Sequence, residues 1–479
     1  MRKNKFLFII TIFLVLAAVS VGAILVSMKL KNRNSGSDEE PTVGQENLVT
    51  DIPEPEPGPE PEPEPEPFVE YDIHLLAVGD NLFHTGVINS GKQDDGSLNY
   101  DHEFDGILEF LEVANIKIIN QETPYAGNEL GFSSYPTFNT PTEVGDAVAK
   151  AGFNVVTGAT NHATDKGVSG LINFYNFFKT KYPEILICGI HGEMINTILP
   201  NTVEGDEGVK VLIETDGTAS DITPEEMEGA VVINDKYDYS RINLLEIEGI
   251  TFAFLNYTYG NNTETYPTSQ EGHLDPLCYY DPGTRALDFT KLNPIVLEDI
   301  ALADTIADVV IVCPHWGVEY TTTPSVYQTT WAVEMVEAGA DAIIGTHPHV
   351  VQPVEWITSP NGNEAVCYYS LGNYVSTQNQ AALNMLEAMA WVTFHVTEDG
   401  VKIVREDTGV VPLVDHYTFN PLCYKHTYLL EEYTEELALS HGILGWGGIQ
   451  LHLETLQKLS DDILGDSVLT KKQIMNQFN

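Results

Sequence analysis

From Ile73 onward the chain alternates short apolar runs with amphipathic stretches. Ile73-His74-Leu75-Leu76-Ala77-Val78 closes on Gly79-Asp80-Asn81, the pattern of a strand running into a turn. Phe104, Ile107, Leu108 and Leu111 keep helical spacing, and Ile116–Ile119 returns to a strand. Val144–Ala151 reads as a helix, Phe153–Val156 as a strand, Val168–Phe178 as an amphipathic helix and Ile185–Cys188 as a strand. Such alternation predicts βαβ units with right-handed crossovers. Further on come a hairpin (Ile242–Ile247, turn Glu248-Gly249, Ile250–Leu255) and the strand Val309–Cys313. A helix over Val326–Glu337, the strand Asp341–Ile344 and a second hairpin (Trp391–Val396, Val401–Val404) follow. Parallel units combined with hairpins predict mixed sheets. The aromatic run Phe254–Tyr259 reads as core strand rather than as a stacking platform.

The two ends of the chain break this pattern. Phe6–Met28 is an uncharged apolar run of 23 residues with basic flanks on both sides. As a helix it would span roughly 35 Å, enough for a bilayer core of about 30 Å. Its length favours a retained membrane anchor over a cleaved signal peptide, with the short N-terminal tail inside and the large body exported. Residues 34–70 are polar and then Pro-Glu repeated, a stiff spacer whose Pro-Glu part extends about 45 Å at about 3.1 Å per residue. The expected organisation is therefore an anchor over 1–33, a linker over 34–70 and a folded body over 71–415. Within the body 201–238 reads as a possible acidic insertion, and the helical patterns of Tyr428–Leu437 and Leu451–Leu464 make 416–479 a helical appendage.

Charge narrows the partners. A formal net charge of −47 opposes phosphate backbones, so nucleic acid is not an expected partner. A polyanionic substrate would be repelled as well unless cations sit at the site. The five cysteines form no CxxC pair, and Cys188, Cys313 and Cys367 sit in apolar runs, which reads as buried thiols rather than disulfides or a thiolate zinc site.

Polar residues gather just after the apolar runs. Asp80, Asn81 and His84 follow the first strand, Asn120 and Glu122 the second, and Asn161, His162 and Asp165 the third. His315, Trp316 and Glu319 follow Val309–Cys313, His347 and His349 follow Ala342–Ile344, and Asn373 ends Tyr368–Gly372. Loops beyond the carboxyl ends of strands in an α/β sheet converge on one crevice. Imidazoles and carboxylates converging there suit Mn, Zn or Fe, as one ion or as two sharing oxygens, and such ions would supply the missing positive charge. Each residue also has an ordinary reading: a turn at Asp80-Asn81, a helix cap at Asn161, a core histidine at His315, capping carboxylates at Asp165 and Glu319. No GxSxG elbow, P-loop or GxGxxG is present.

The segments LLAVGDNLFHTG, NQETP, GATNHATDKG, CPHWGVEY, GTHPHVVQP and YSLGNYV, in this order and spacing, resemble the motif series of the CapA family of poly-γ-glutamate capsule proteins. That family is similar in fold to the calcineurin-like metallophosphoesterases, a sandwich of two mixed sheets flanked by helices. The resemblance implies that Asp80, Glu122, Asn161, His315, His347 and His349 ligate one or two metals. It casts His162 as proton donor to a leaving group, a role in which Asp165 would orient it. Two positions differ from the phosphoesterase pattern: Leu82 stands where Asp-x-His has its imidazole, the nearest being His84, and Glu122 replaces an aspartate. The functions implied are poly-γ-glutamate synthesis, export or anchoring, with a metal-dependent hydrolase or transferase site. Two alternatives stay open: a non-catalytic polymer-binding subunit of a membrane capsule synthase, and a phosphodiesterase acting on cell-wall phosphate polymers.

Overall fold

The computed structural model describes residues 68–192, 241–262, 273–418 and 424–478, with two short strands at 211–212 and 231–232. The expected membrane helix, the Pro-Glu spacer to residue 67 and nearly all of 201–238 lie outside the described residues. Among the described residues no helix is long and apolar enough to cross a membrane.

Along the chain, β1 (Tyr71–Asn81), β2 (Ile116–Asn120), β3 (Val155–Thr157) and β4 (Leu186–Cys188) come first, with helices α1 (Thr142–Ala151) and α2 (Gly167–Lys181) between the later ones. Next come β5 (Asn243–Ile247), β6 (Ile250–Thr258), helix α3 (Pro294–Ile306), β7 (Val309–His315), helix α4 (Val326–Ala338), β8 (Ala342–Ile344), β9 (Val354–Thr358) and β10 (Glu364–Tyr368). The chain then returns through β11 (Asn373–Val375), β12 (Leu386–Thr397), β13 (Gly400–Ile403), β14 (Gly409–Thr418), β15 (Tyr424–Leu429) and helix α5 (Leu453–Leu464).

Two mixed sheets result. The first runs β15-β14-β12-β1-β2-β3-β4, with β11 on β1 and β13 on β12; the second runs β9-β10-β8-β7-β6-β5. β1 to β4 pair in parallel, while β12 lies antiparallel to β1. Alternation along β1 decides the layering. Ile73, Leu75 and Ala77 point between the sheets, and Leu76 and Val78 point to the outer core shared with Phe174 of α2. β7 does the same in the second sheet: Val309, Ile311 and Cys313 face inward, Val310 and Val312 face Ile300 of α3 and Met335 of α4. Both faces of both sheets are therefore buried, which at about 25 cal/mol per Å² of apolar surface is the main stabilising term. Local signals start the helices as chemistry requires: Asn293 caps α3 ahead of Pro294, and Ser325 and Gln328 form a capping box on α4.

Both expected hairpins form, β5–β6 and β12–β13. Tyr368–Gly372, expected as one strand, instead divides: β10 ends at Tyr368 in the second sheet, and β11 begins at Asn373 in the first. The expected appendage is also different. β14 runs through Asp415–His416 and β15 extends the first sheet beside it. Ile443, Leu456 and Leu464 enter the inter-sheet core and Leu469 and Ile474 the outer one. These residues complete the body because their apolar faces have a sheet to cover. Cys188, Cys278, Cys313 and Cys367 are buried free thiols.

Candidate metal centre

The carboxyl ends of β1, β2 and β3 and those of β6, β7 and β8 meet on one side of the sandwich. Close backbone contact makes this possible. Asp80 N–H donates to Gly372 O at 2.9 Å, and a Cβ on Gly79 would stand 2.0 Å from that oxygen, so only glycine fits there. The buried Asp80 carboxylate accepts from Asn120 Nδ2 at 2.8 Å and from the His347 backbone N–H at 3.3 Å.

His347 and His349 both take left-handed backbone angles (φ 98° and 58°). Such strain costs on the order of 1–3 kcal/mol per residue and persists where surroundings enforce it. The result aims both rings inward. His349 Nδ1 lies 3.1 Å from Asp80 Oδ2 and 3.1 Å from Asn373 Oδ1, and its Nε2 is 3.6 Å from Glu122 Oε1. The His315 and His347 rings stand 4.8 Å apart. His315 Nε2 is 2.9 Å from Asn161 Oδ1, and its Nδ1 is 3.0 Å from Thr346 Oγ1.

Three overlapping donor sets emerge, each with ligand atoms within 4.8 Å of one another: Asp80, Glu122 and His349; Glu122, His315 and His347; Glu319, His347 and His349. Glu122 belongs to two of them. Its residue is wholly buried, yet neither carboxylate oxygen has a hydrogen-bond partner, and neither does His347 Nδ1. Buried polar atoms are nearly always satisfied, so orphaned donors aimed at one another fit a cation between them. The chemistry agrees: hard oxygens and imidazoles are the ligands of Mn, Zn and Fe.

Electrostatics favours the same reading. Burial drives the His315 and His347 rings well below the ordinary histidine value, leaving them neutral and able to ligate. Burial also drives the Glu122 carboxyl well above its ordinary value, with Asp80 and Glu319 adding to it and His349 opposing. For His349 burial is outweighed by Glu122 and Asp80, which push the ring up to about 9. In the metal-free protein that imidazolium is the positive charge among the carboxylates, a place that a divalent ion can take.

His162 stands at the rim. Its Nδ1 is 2.8 Å from Asp165 Oδ2, which also accepts from Phe138 N–H at 2.7 Å; the Phe138 ring meets the imidazole edge-on at 4.7 Å. Asp165 thus meets the His162 ring directly.

Some expected members have other jobs. Trp316 is fully buried in the second core, with Nε1 donating to Tyr369 O at 2.9 Å, so it supports the sheet rather than lining the site. Asn81 Nδ2 donates to Gln121, which also accepts from the Tyr125 hydroxyl, and Asn120 holds Asp80 rather than facing the centre. His84 sits beside the site in none of the donor sets, its Nδ1 3.4 Å from Ser376 Oγ. Leu82 is buried. Glu319, expected only as lining, joins a donor set. Sequence reasoning missed Tyr259, whose ring lies 4.6 Å from that of His347 and stacks at 10° on His315. Its position one residue past β6 was the available signal, hidden by the apolar run before it. Asn262 was also missed; it accepts from Asn161 Nδ2 at 3.2 Å.

Fold and site together define an α/β protein of two mixed sheets with a buried carboxylate–imidazole centre suited to divalent cations. The chain belongs to the CapA family: the model described as bacterial capsule synthesis protein PGA_cap matches residues 74–213 and 216–378. It is 28% identical over 268 residues to the capsule biosynthesis protein CapA of Bacillus anthracis, covering 56% of this chain and 49% of that one. It is 32% identical over 160 residues to the PGA biosynthesis protein CapA of Bacillus subtilis, covering 33% and 36% respectively. The chain thus spans less than half the length of either relative. Among solved structures, a phosphatase of Mycoplasma pneumoniae gives a TM-score of 0.36 at 11% identity, covering 72% of this chain and 95% of that one. A 5'-nucleotidase of Staphylococcus aureus (so far a provisional assignment in its own description) gives 0.37 at 13%, covering 71% and 54%. These scores are too low to define a shared fold.

Proposed function

We propose that this chain is a membrane-anchored, extracytoplasmic capsule protein with a metal-dependent hydrolase or transferase site of calcineurin-like type, acting on an anionic polymer such as poly-γ-glutamate. One observation carries the catalytic part: Glu122, wholly buried with both oxygens unpartnered, lies between two histidine-bearing donor sets. Asp80, Glu122 and His349 would hold one ion, and Glu122, His315 and His347 with Asn161 a second. Bound divalent ions would polarise the scissile group and supply the positive charge that the acidic body lacks. Asp165 accepts from Nδ1, so an imidazolium at His162 would hold its second proton on Nε2 to give to the departing group. Phe138 backs that ring and fixes its plane. The N-terminal apolar run would tether the body to the membrane beside capsule synthase subunits.

The test is elemental analysis of the full chain beside a His347→Ala/His349→Ala double variant and a His162→Ala variant. One or two equivalents of Mn, Zn or Fe are expected, lost in the double variant and kept in His162→Ala. Hydrolysis of bis-p-nitrophenyl phosphate or a γ-glutamyl polymer should fall in both. A folded, metal-free wild type would overturn the hydrolase reading. Leu82, buried where an imidazole would be expected, favours a second reading, polymer holding without turnover. Under that reading His162→Ala keeps full capsule function.

A further inference from the structure

Tyr320 is placed by more constraints than a surface aromatic needs. It follows Glu319 in the loop after β7 and takes a left-handed backbone angle, φ 61°, uncommon for a bulky side chain. Its backbone N–H donates at 2.8 Å to the carbonyl of Pro348, the residue between the two left-handed histidines. Its ring lies 6.0 Å from that of His349.

The hydroxyl is held as well. Gln378 Nε2 and Gln380 Nε2 lie 3.3 Å and 3.2 Å from the phenolic oxygen. The orientation of Gln378 is fixed, because its Oε1 already accepts from Asn373 Nδ2 at 3.1 Å and from Asn384 Nδ2 at 3.4 Å. Its amide nitrogen must therefore face the tyrosine. A phenol accepting two N–H donors has its own proton left to give, and acceptance polarises that O–H bond. In the free protein Glu319 is a neighbouring acceptor for that proton. The side chain is nevertheless 37% exposed, open to a molecule entering from solvent.

We propose that Tyr320 is a substrate-binding donor of this site: its hydroxyl, held by Gln378 and Gln380 against His349, gives its proton in a hydrogen bond to an oxygen of the reacting group. This rests on the hydrolase reading above and deepens it. A phenol is a neutral donor, so it suits a carbonyl or a singly charged phosphodiester and gives no charge compensation to a phosphomonoester dianion. It is not a metal ligand, so its removal leaves the metal in place.

The test compares the full wild-type chain with Tyr320→Phe and Gln380→Leu. Bis-p-nitrophenyl phosphate serves as substrate, and inorganic phosphate, measured by calorimetry, as the binding probe. Tyr320→Phe should lower kcat by about 100- to 1,000-fold with KM changed far less, as for other lost donors to a developing oxyanion. It should also weaken phosphate binding several-fold, with metal content and thermal midpoint unchanged. Gln380→Leu should lower kcat by a smaller factor in the same sense. A wild type active on the diester with Tyr320→Phe equal to it in kcat and phosphate affinity overturns the assignment and leaves the hydrolase reading intact. Loss of metal in Tyr320→Phe overturns it too, by making the residue structural. A wild type that neither turns over the diester nor binds phosphate removes the hydrolase reading and this donor with it.

Discussion

Replacing Glu122 with glutamine should make the metal-free protein more stable and the metal-loaded protein less so. Glu122 is wholly buried, and burial acts on it more strongly than the attraction of His349 at 3.6 Å. An unsatisfied buried acceptor costs about 1–3 kcal/mol, and an amide of the same shape removes the charge while bringing donors of its own. His349 loses one carboxylate but keeps Asp80 at 3.1 Å. The expected gain in chelator is therefore about 1–3 kcal/mol. In the wild type, metal at 1,000 times its Kd adds about 4.1 kcal/mol, whereas the variant lacks the carboxylate common to two donor sets. The order of the two denaturation midpoints should invert between chelator and metal. Urea titrations of both proteins, with EDTA and with Mn or Zn, measure this directly, with m-values confirming that the same surface unfolds. A Glu122→Gln protein less stable than wild type in EDTA, or equally stabilised by metal, would show that Glu122 serves packing and not a cation.

A second buried ionic cluster gives two further expectations. Lys425 pairs with Asp415 with no side-chain exposure at either residue, beside buried Glu103 and Glu387. Lys425→Met leaves those carboxylates without their cation and should cost about 3–5 kcal/mol in a denaturant titration, partly regained in Asp415→Asn/Lys425→Met. Three acids facing one ammonium also retain a proton: burial raises the Asp415 carboxyl from 3.8 to about 6 and raises that of Glu387 in the same direction. A raised folded-state acid stabilises below its unfolded value and loses that contribution as pH rises through its folded one. Denaturation midpoints should thus lose this contribution between pH 4 and 6, and Glu387→Gln should flatten the slope; a wild-type slope unchanged by that substitution would refute the assignment.

The parts of this molecule most legible in its sequence are those where local pattern and tertiary role agree. β1 reads as a strand because its apolar side chains alternate between two cores, with His74 the polar exception, and Asp80-Asn81 at its carboxyl end is polar because it leaves them. The ends of β3, β7 and β8 are read by the same rule, which marks Asn161, His315 and His347 as polar residues at strand ends. Where pairing is long-range, the rule fails. β14 carries Pro412, Asp415 and His416 in a strand, and only its partners β12 and β15 make those residues interior. Trp316 illustrates the opposite error, since adjacency to a ligand in sequence says nothing about which face a ring takes; its indole turns to the Tyr369 carbonyl while His315 turns to Asn161. Tyr259 reads in sequence only as the end of a core strand and Tyr320 carries no charge pattern, so only ring distances show their neighbours.

Asp80 and Glu122 leave strands of one sheet, and His315, His347 and His349 leave strands of the other. An ion held by both groups would act as a rivet through the open end of the sandwich, where the layers are joined by donors rather than by apolar contact. Separating the sheets there would then require extracting a cation as well as wetting a core. Occupancy of the centre and resistance of the fold to prying open become a single property, so a protease that probes the gap would read the metal status of the chain.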